Sequence, residues 1–396
     1  MAHLRGAGRT ISAAMSDSAI KPFRLAIAQA AIDDLHARLD RVRWPDEAPD
    51  APWAYGTSLA FMRELVHDWR TRYDWRTTEA ALNAWPQFTT TIDGIDVHFL
   101  QVQGKGPSPK PLLLSHGWPG SVLEFMKLIP RLTDPAAFGG DAADALTVVA
   151  PSLPGYTLSF REGQPRKGLA EIGAIFDTLM HERLGYRRYG AQGGDWGSFI
   201  TAWLGRNRAE HLTGIHLNLM PLARDAAMFT HPSESERRYI DELQAWLKEE
   251  TGYQAIQGTR PQTLAFALSD SPVGLAAWIA EKYRAWTDCD GDPCRALTLD
   301  EMLGNISLYW FTNCIGASFW PYYARLHGPW PIEGRIEVPT GYCEFPREIL
   351  RPPREAAERQ FNIARWSVME KGGHFAALEQ PDALAREIRA FFRAVA

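Results

Sequence analysis

The sequence predicts an α/β fold with a mainly parallel central sheet flanked by helices, a helical lid insertion and a helical N-terminal extension. Three observations predict it. Short β-type runs alternate with helical or loop segments over most of the chain, which suits parallel strands covered on both faces. The strand pattern stops between about 221 and 330, where helical and aromatic-rich sequence takes over. The stretch 20–90 carries its apolar residues at helical spacing.

Taken in order, residues 1–19 read as a poorly ordered leader, with Met15 as an alternative start. Ile27, Ala31, Leu35 and Leu39 then share one helical face, and Leu59, Met62, Leu65, Val66 and Trp69 mark a second helix. From Phe88 to Val102 the period changes to two, and Asp93-Gly94 between β-branched runs predicts a tight hairpin. Further strands are expected at Pro111–Ser115, Leu146–Ala150, Tyr189–Gln192, Thr213–Leu219, Arg335–Pro339 and Ala364–Met369. Within the insertion, Ser233 with Glu236 forms a capping box, Ser271-Pro272 opens another helix, and Asn305–Tyr323 is rich in aromatics. Leu384, Ile388, Phe391, Phe392 and Val395 supply a closing amphipathic helix. The expected units are thus 20–90, a first core part 91–220, a lid 221–330 and a second core part 331–396.

Composition excludes several classes of function. The 396 residues are 45% hydrophobic and 22% charged, with a net charge of −5 and no long run of one sign, so no nucleic-acid footprint is present. Nothing approaches the roughly 18 uninterrupted apolar residues of a membrane helix, and no signal-peptide core opens the chain, so a cytoplasmic protein is expected. The four cysteines are too sparse for a disulfide framework. Asp288–Cys294 fails as a calcium loop because Pro293 stands where the turn glycine belongs.

The most informative residue is Asp195. Gly193-Gly194-Asp195-Trp196-Gly197 resembles the nucleophile elbow of α/β-hydrolases with an acid in place of serine. A carboxylate with an ordinary pKa of about 4 is already anionic at neutral pH and suits displacement at saturated carbon. Gly193 and Gly197 fit the close backbone approach of such a turn. For the pentapeptide alone, a glycine-rich surface turn holding an acid is the better reading, so the rest of the chain decides.

Upstream, Ser115-His116-Gly117-Trp118-Pro119-Gly120 follows a strand. That position in α/β-hydrolases turns a backbone amide toward the elbow, so the amides of Trp118 and Trp196 are the candidate oxyanion donors. His116 suits a structural hydrogen bond beneath this turn, alongside Gly117 and Pro119. Downstream of the insertion, Lys371-Gly372-Gly373-His374-Phe375 ends the last strand pattern and makes His374 the candidate base among eleven histidines. Glu348 ranks first to orient it, Glu344 remains a rival, and Glu370 lies too near His374 to fold back.

With these residues assembled, the chain resembles the microsomal-type epoxide hydrolases of the α/β-hydrolase superfamily. The resemblance also rests on Tyr55-Gly56-Thr57, Tyr73-Asp74-Trp75-Arg76, Leu82-Asn83, Pro86-Gln87-Phe88 and Asp270–Ala277. It implies the α/β-hydrolase fold, Asp195 as nucleophile, His374 as base, Glu348 as orienting acid, and Tyr253 and Tyr322 as lid hydroxyls holding the epoxide oxygen. Tyr323, beside Tyr322, is easily confused with it, and aromatic packing explains lid tyrosines without the family. One departure is Thr157, which replaces a glycine common in the loop Pro154–Ser159.

The reaction implied turns a small-molecule epoxide and water into a vicinal diol through a hydroxyalkyl ester, with no metal or organic cofactor. No nucleic-acid or membrane partner is expected, and a homo-oligomer is compatible with the sequence. The alternatives are a haloalkane dehalogenase built on the same Asp-His-acid set, in which an indole N–H grips halide, and a ligand-binding relative without turnover.

Overall fold

The computed structural model describes residues 19–49, 52–223 and 225–395. The expectations for the leader and for Met15 fall outside these, but for residue 19. Nine strands form one sheet: β1 Lys21–Pro22, β2 Gln87–Ile92, β3 Ile95–Val102, β4 Lys110–Ser115, β5 Leu146–Pro151, β6 Tyr189–Gly193, β7 Leu212–Leu217, β8 Ile336–Glu344 and β9 Phe361–Val368. Their spatial order is β1-β2-β3-β5-β4-β6-β7-β8-β9. The first three strands pair antiparallel and β3 joins β5 antiparallel, while every pair from β5 through β9 is parallel.

The strand sequences account for this placement. Every residue of β5 and β6 is buried, as strands covered on both faces require. The β2–β3 turn has Asp93 and Gly94 at φ 48° and 76°, the two left-handed positions of a tight hairpin. The closing helix Pro381–Val395 lies against the sheet where glycines leave room. A Cβ at Gly190 of β6 would come within 2.4 Å of the Phe392 ring, and one at Gly341 of β8 within 2.8 Å of Phe391.

The expected last-but-one strand, Arg335–Pro339, runs on to Glu344. Proline marks a strand end when it sits in a regular ladder, but Pro339 lies at an irregularity in the β8–β9 register, where its missing N–H costs nothing. The extension matters, because it carries the chain to the loop that holds Glu348.

The N-terminal extension is not purely helical. Helices Gln29–Leu39, Leu59–Thr71 and Trp75–Asn83 are joined there by β1, and β2 runs across the boundary expected at residue 90. Asn83 clamps the incoming chain by accepting from the Leu25 amide at 2.9 Å and donating to its carbonyl at 2.8 Å. Buried Trp69 donates to Ser307 Oγ at 2.9 Å, tying the extension to the insertion.

Among the described residues of the insertion, every regular element is a helix. The Ser233/Glu236 capping box opens the helix Glu234–Glu249, and Ser271 caps Pro272–Trp286. The aromatic stretch forms Leu299–Thr312, Ile315–Ser318 and Trp320–His327, broken at Asn313, whose φ is 50°. No single helix among the described residues is long and apolar enough to cross a membrane; the bent pair Pro261–Asp270 and Pro272–Trp286 meets at 116°.

Candidate active site

Asp195 stands at the end of β6 with φ 46°, a left-handed conformation that is strained for a side chain of any size. The flanking glycines explain how the turn closes. A Cβ at Gly193 would lie 2.2 Å from the carbonyl of Gly197, and one at Gly197 would lie 2.0 Å from the Ser115 oxygen. A Cβ at Gly117 would meet Asp195 Oδ1 at 2.2 Å, so the turn after β4 touches the carboxylate directly.

That turn turns its amide inward. The Trp118 N–H donates to Asp195 Oδ1 at 2.7 Å. The Trp196 amide lies in the first turn of the helix Asp195–Asn207, among the donors that no carbonyl of that helix satisfies. His116 sits beneath: its Nε2 accepts from the Leu153 amide at 3.1 Å, which leaves Nδ1 to donate to the Gly117 carbonyl at 3.0 Å. Burial pushes its pKa down to about 4 and keeps it neutral.

His374 meets Asp195 from the other side, with Nε2 3.4 Å from Asp195 Oδ2. Its Nδ1 lies 2.6 Å from Glu348 Oε1, and both side chains are buried. Glu348 is fixed in turn by the Ile349 amide, which donates to Oε1 at 2.8 Å. Glu344 is half-buried at the end of β8 and Glu370 is exposed. Of the acids weighed, Glu348 is the one brought to His374. Burial alone favours neutral imidazole, but the charges of Glu348 and Asp195 outweigh it and raise the His374 pKa well above its ordinary value.

The insertion covers this triad. Tyr253, Tyr322 and Asp195 line one cavity of about 430 Å³, together with Trp196, Phe199 and Leu350. The Trp118 and Tyr253 rings stack at 5.4 Å, and Tyr322 packs edge-on to Trp196 at 4.7 Å. Gln254 donates to the Tyr253 hydroxyl at 2.9 Å. The Tyr322 hydroxyl is buried beside that of Tyr253, with no partner at full hydrogen-bond geometry among the described residues. Burial, reinforced by nearby acidic groups, raises the pKa of both phenols, so both stay protonated and able to donate. Tyr323 turns to a different neighbourhood, stacking on Trp320 and His327.

The comparisons with known proteins follow this geometry. Residues 20–125 match the family described as epoxide hydrolase N terminus, and residues 110–285 match the alpha/beta hydrolase fold. Epoxide hydrolase 1 of Sus scrofa is 36% identical over 96% of this chain and 90% of its own. The chain belongs to the epoxide hydrolase family. The crystal structure of juvenile hormone epoxide hydrolase from Bombyx mori superposes with a TM-score of 0.88 at 31% identity, covering 96% of both chains. Aspergillus niger epoxide hydrolase follows at 0.83 and 29%, covering 96% of this chain and 98% of its own. Epoxide hydrolysis is the activity these relatives support, and neither halide release nor loss of turnover is.

In this epoxide hydrolase, several supports of the site escaped sequence reasoning. Asn305 of the insertion donates to the Pro119 carbonyl at 2.6 Å and Tyr309 to that of Gly120 at 2.8 Å, so the insertion holds the Trp118 turn in place. Asp288, in the rejected calcium loop, accepts from the Gly372 amide at 2.9 Å. Glu379 accepts from the amides of Asp288 at 2.8 Å and Phe375 at 3.0 Å, bracketing His374. The departure at Thr157 is physical as well, since its φ of 33° is where glycine is easiest.

Proposed function

We propose that Asp195 opens the epoxide by attack on a ring carbon while Tyr253 and Tyr322 donate to the departing oxygen. A carbon–oxygen bond forms to the Asp195 carboxylate, the ring carbon–oxygen bond breaks, and a hydroxyalkyl ester with an alkoxide remains. The observation that carries this reading is the Tyr322 hydroxyl, a buried donor beside the Tyr253 hydroxyl with no partner at full hydrogen-bond geometry among the described residues, at the cavity that Asp195 lines. A buried unpaired donor costs about 1–3 kcal/mol, a cost that binding of an epoxide oxygen offsets.

Esterification removes the Asp195 charge and with it one of the two anions that hold the proton on His374. The imidazolium then gives its proton to the alkoxide and becomes a neutral base. In the second step His374 takes one proton of water, the water oxygen bonds to Asp195 Cγ, and the amides of Trp118 and Trp196 hold the oxyanion. The intermediate expels the diol oxygen, which leaves with the remaining water proton, and the water oxygen stays in the carboxylate. Glu348 orients the imidazole and stabilises its charged form.

The insertion, 221–330 in this reading, serves as the lid and shapes an apolar-walled cavity for an epoxide with a bulky hydrocarbon part. Cysteines that are all free thiols support a cytoplasmic location. The test sets diol formation from styrene oxide against bromide release from a bromoalkane, on the native chain and on Asp195→Asn. Diol formed by the native chain, and lost by about 10³-fold or more in the variant, is expected. Bromide release in preference to diol, or an undiminished variant, contradicts the reading.

A further inference from the structure

Besides the lid cavity, Asp195 lines a second, small cavity of about 20 Å³, room for about one water. Asp195 is the residue the two cavities share. His374 and Glu124 also line the small cavity, among strand-end and turn residues that include Gln192 and Asn218. Glu124 in turn lines an outer groove of about 350 Å³ between the N-terminal extension, at Tyr73 and Thr78, and the helix Leu299–Thr312, at Gly304 and Asn305. It is the residue common to the small cavity and the groove. Asp195 thus stands between substrate and small cavity, and Glu124 between small cavity and groove.

This arrangement answers a problem that the ester creates. Once a hydroxyalkyl group fills the lid cavity, water needs another way to Asp195 and a second partner besides His374, because a buried water is held by two to four polar groups. We propose that Glu124 positions the hydrolytic water in the small cavity and that this water arrives from the groove. The inference rests on the covalent reading above.

The carboxyl of Glu124 is built for the role. It lies against the glycine of the turn, so that a Cβ at Gly120 would fall 1.4 Å from its Oε1. The Ser121 backbone hydrogen-bonds it and fixes its direction. Burial, opposed by His374 and aided by Asp195, pushes its pKa up to about 8. A neutral carboxyl offers water a carbonyl oxygen without placing another negative charge beside the developing oxyanion.

The experiment is single turnover of a chromogenic epoxide with quenched-flow mass spectrometry of the Asp195 ester, on the native chain, Glu124→Ala and Glu124→Gln. Expected for Glu124→Ala is ester formation within about twofold of native and ester hydrolysis slowed about tenfold or more, so that kcat and KM fall together and kcat/KM holds. Glu124→Gln keeps an acceptor oxygen and restores most of the hydrolysis rate. If Glu124→Ala does not fold, Glu124→Asp draws the carboxyl back by a methylene and is expected to show the same slowed hydrolysis. Native hydrolysis rates in the shortened variant, equal loss of both steps, or a Gln variant no better than Ala overturns the proposal. Absence of ester in the native chain overturns the covalent reading itself, and the proposal with it.

Discussion

At the scale of single residues, the same atom can be a structural defect and a catalytic asset. Tyr322 is buried, yet its hydroxyl, beside that of Tyr253, has no partner at full hydrogen-bond geometry among the described residues. Tyr322→Phe therefore removes a group that contributes little to folding, and the melting temperature is expected to hold or rise. Ester formation is expected to slow about 10²-fold because a donor to the alkoxide is gone. Thermal unfolding beside single-turnover kinetics checks both halves, and a destabilised variant with native turnover contradicts the assignment. Asp195 and His374 were legible in the sequence because glycines surround each of them in a local motif. Glu348 was legible by position, and the choice against Glu344 awaited the turn after β8. Glu124, Asn305, Asp288 and Glu379 were not legible. Each acts on a partner distant in sequence, and Glu124 follows Ser121 in the pattern of an ordinary capping box.

At the scale of elements, the elbow depends on the close approach of backbones at its glycines. Gly197→Ala places a methyl 2.0 Å from the Ser115 carbonyl oxygen, so β4 and the elbow helix must separate. A cost above about 3 kcal/mol is expected, with activity lost through displacement of the Trp118 turn. Gly252→Ala is the contrast: none of the described residues lies within 4 Å of the added Cβ, and helix propensity predicts a gain of roughly 0.5 kcal/mol. Urea denaturation of both variants decides, and equal effects at the two sites contradict the argument. Strands buried on both faces and the hairpin at Asp93-Gly94 announced themselves through apolar runs and turn chemistry. The continuation of β8 past Pro339 did not, because the sequence shows the proline but not the register irregularity that accommodates it.

At the scale of the whole molecule, the N-terminal extension, the sheet and the lid share their apolar interior. One core cluster contains Leu35 and Trp69 of the extension, Leu113 and Ile215 of the sheet, and Tyr253 and Ile306 of the insertion. The extension also supplies β1 and most of β2 to the sheet. Removal of residues 20–90 is expected to leave a chain without a cooperative unfolding transition, as followed by circular dichroism. A truncated chain that melts cooperatively and forms diol contradicts that picture. The sequence marked these parts as separate units by their different periodicities. Their interdependence arises from contacts such as Trp69 with Ser307, which no periodicity reveals.

The proposed turnover depends on a substrate becoming covalently attached to the elbow carboxylate. Its most direct measurement is one turnover in ¹⁸O-water with enzyme in excess over epoxide, followed by mass analysis of the peptide containing Asp195 and of the diol. Label is expected in the Asp195 carboxylate and not in the diol. Label appearing in the diol during that first turnover, with Asp195 unlabelled, contradicts the ester and returns Asp195 to the role of a base that activates water directly.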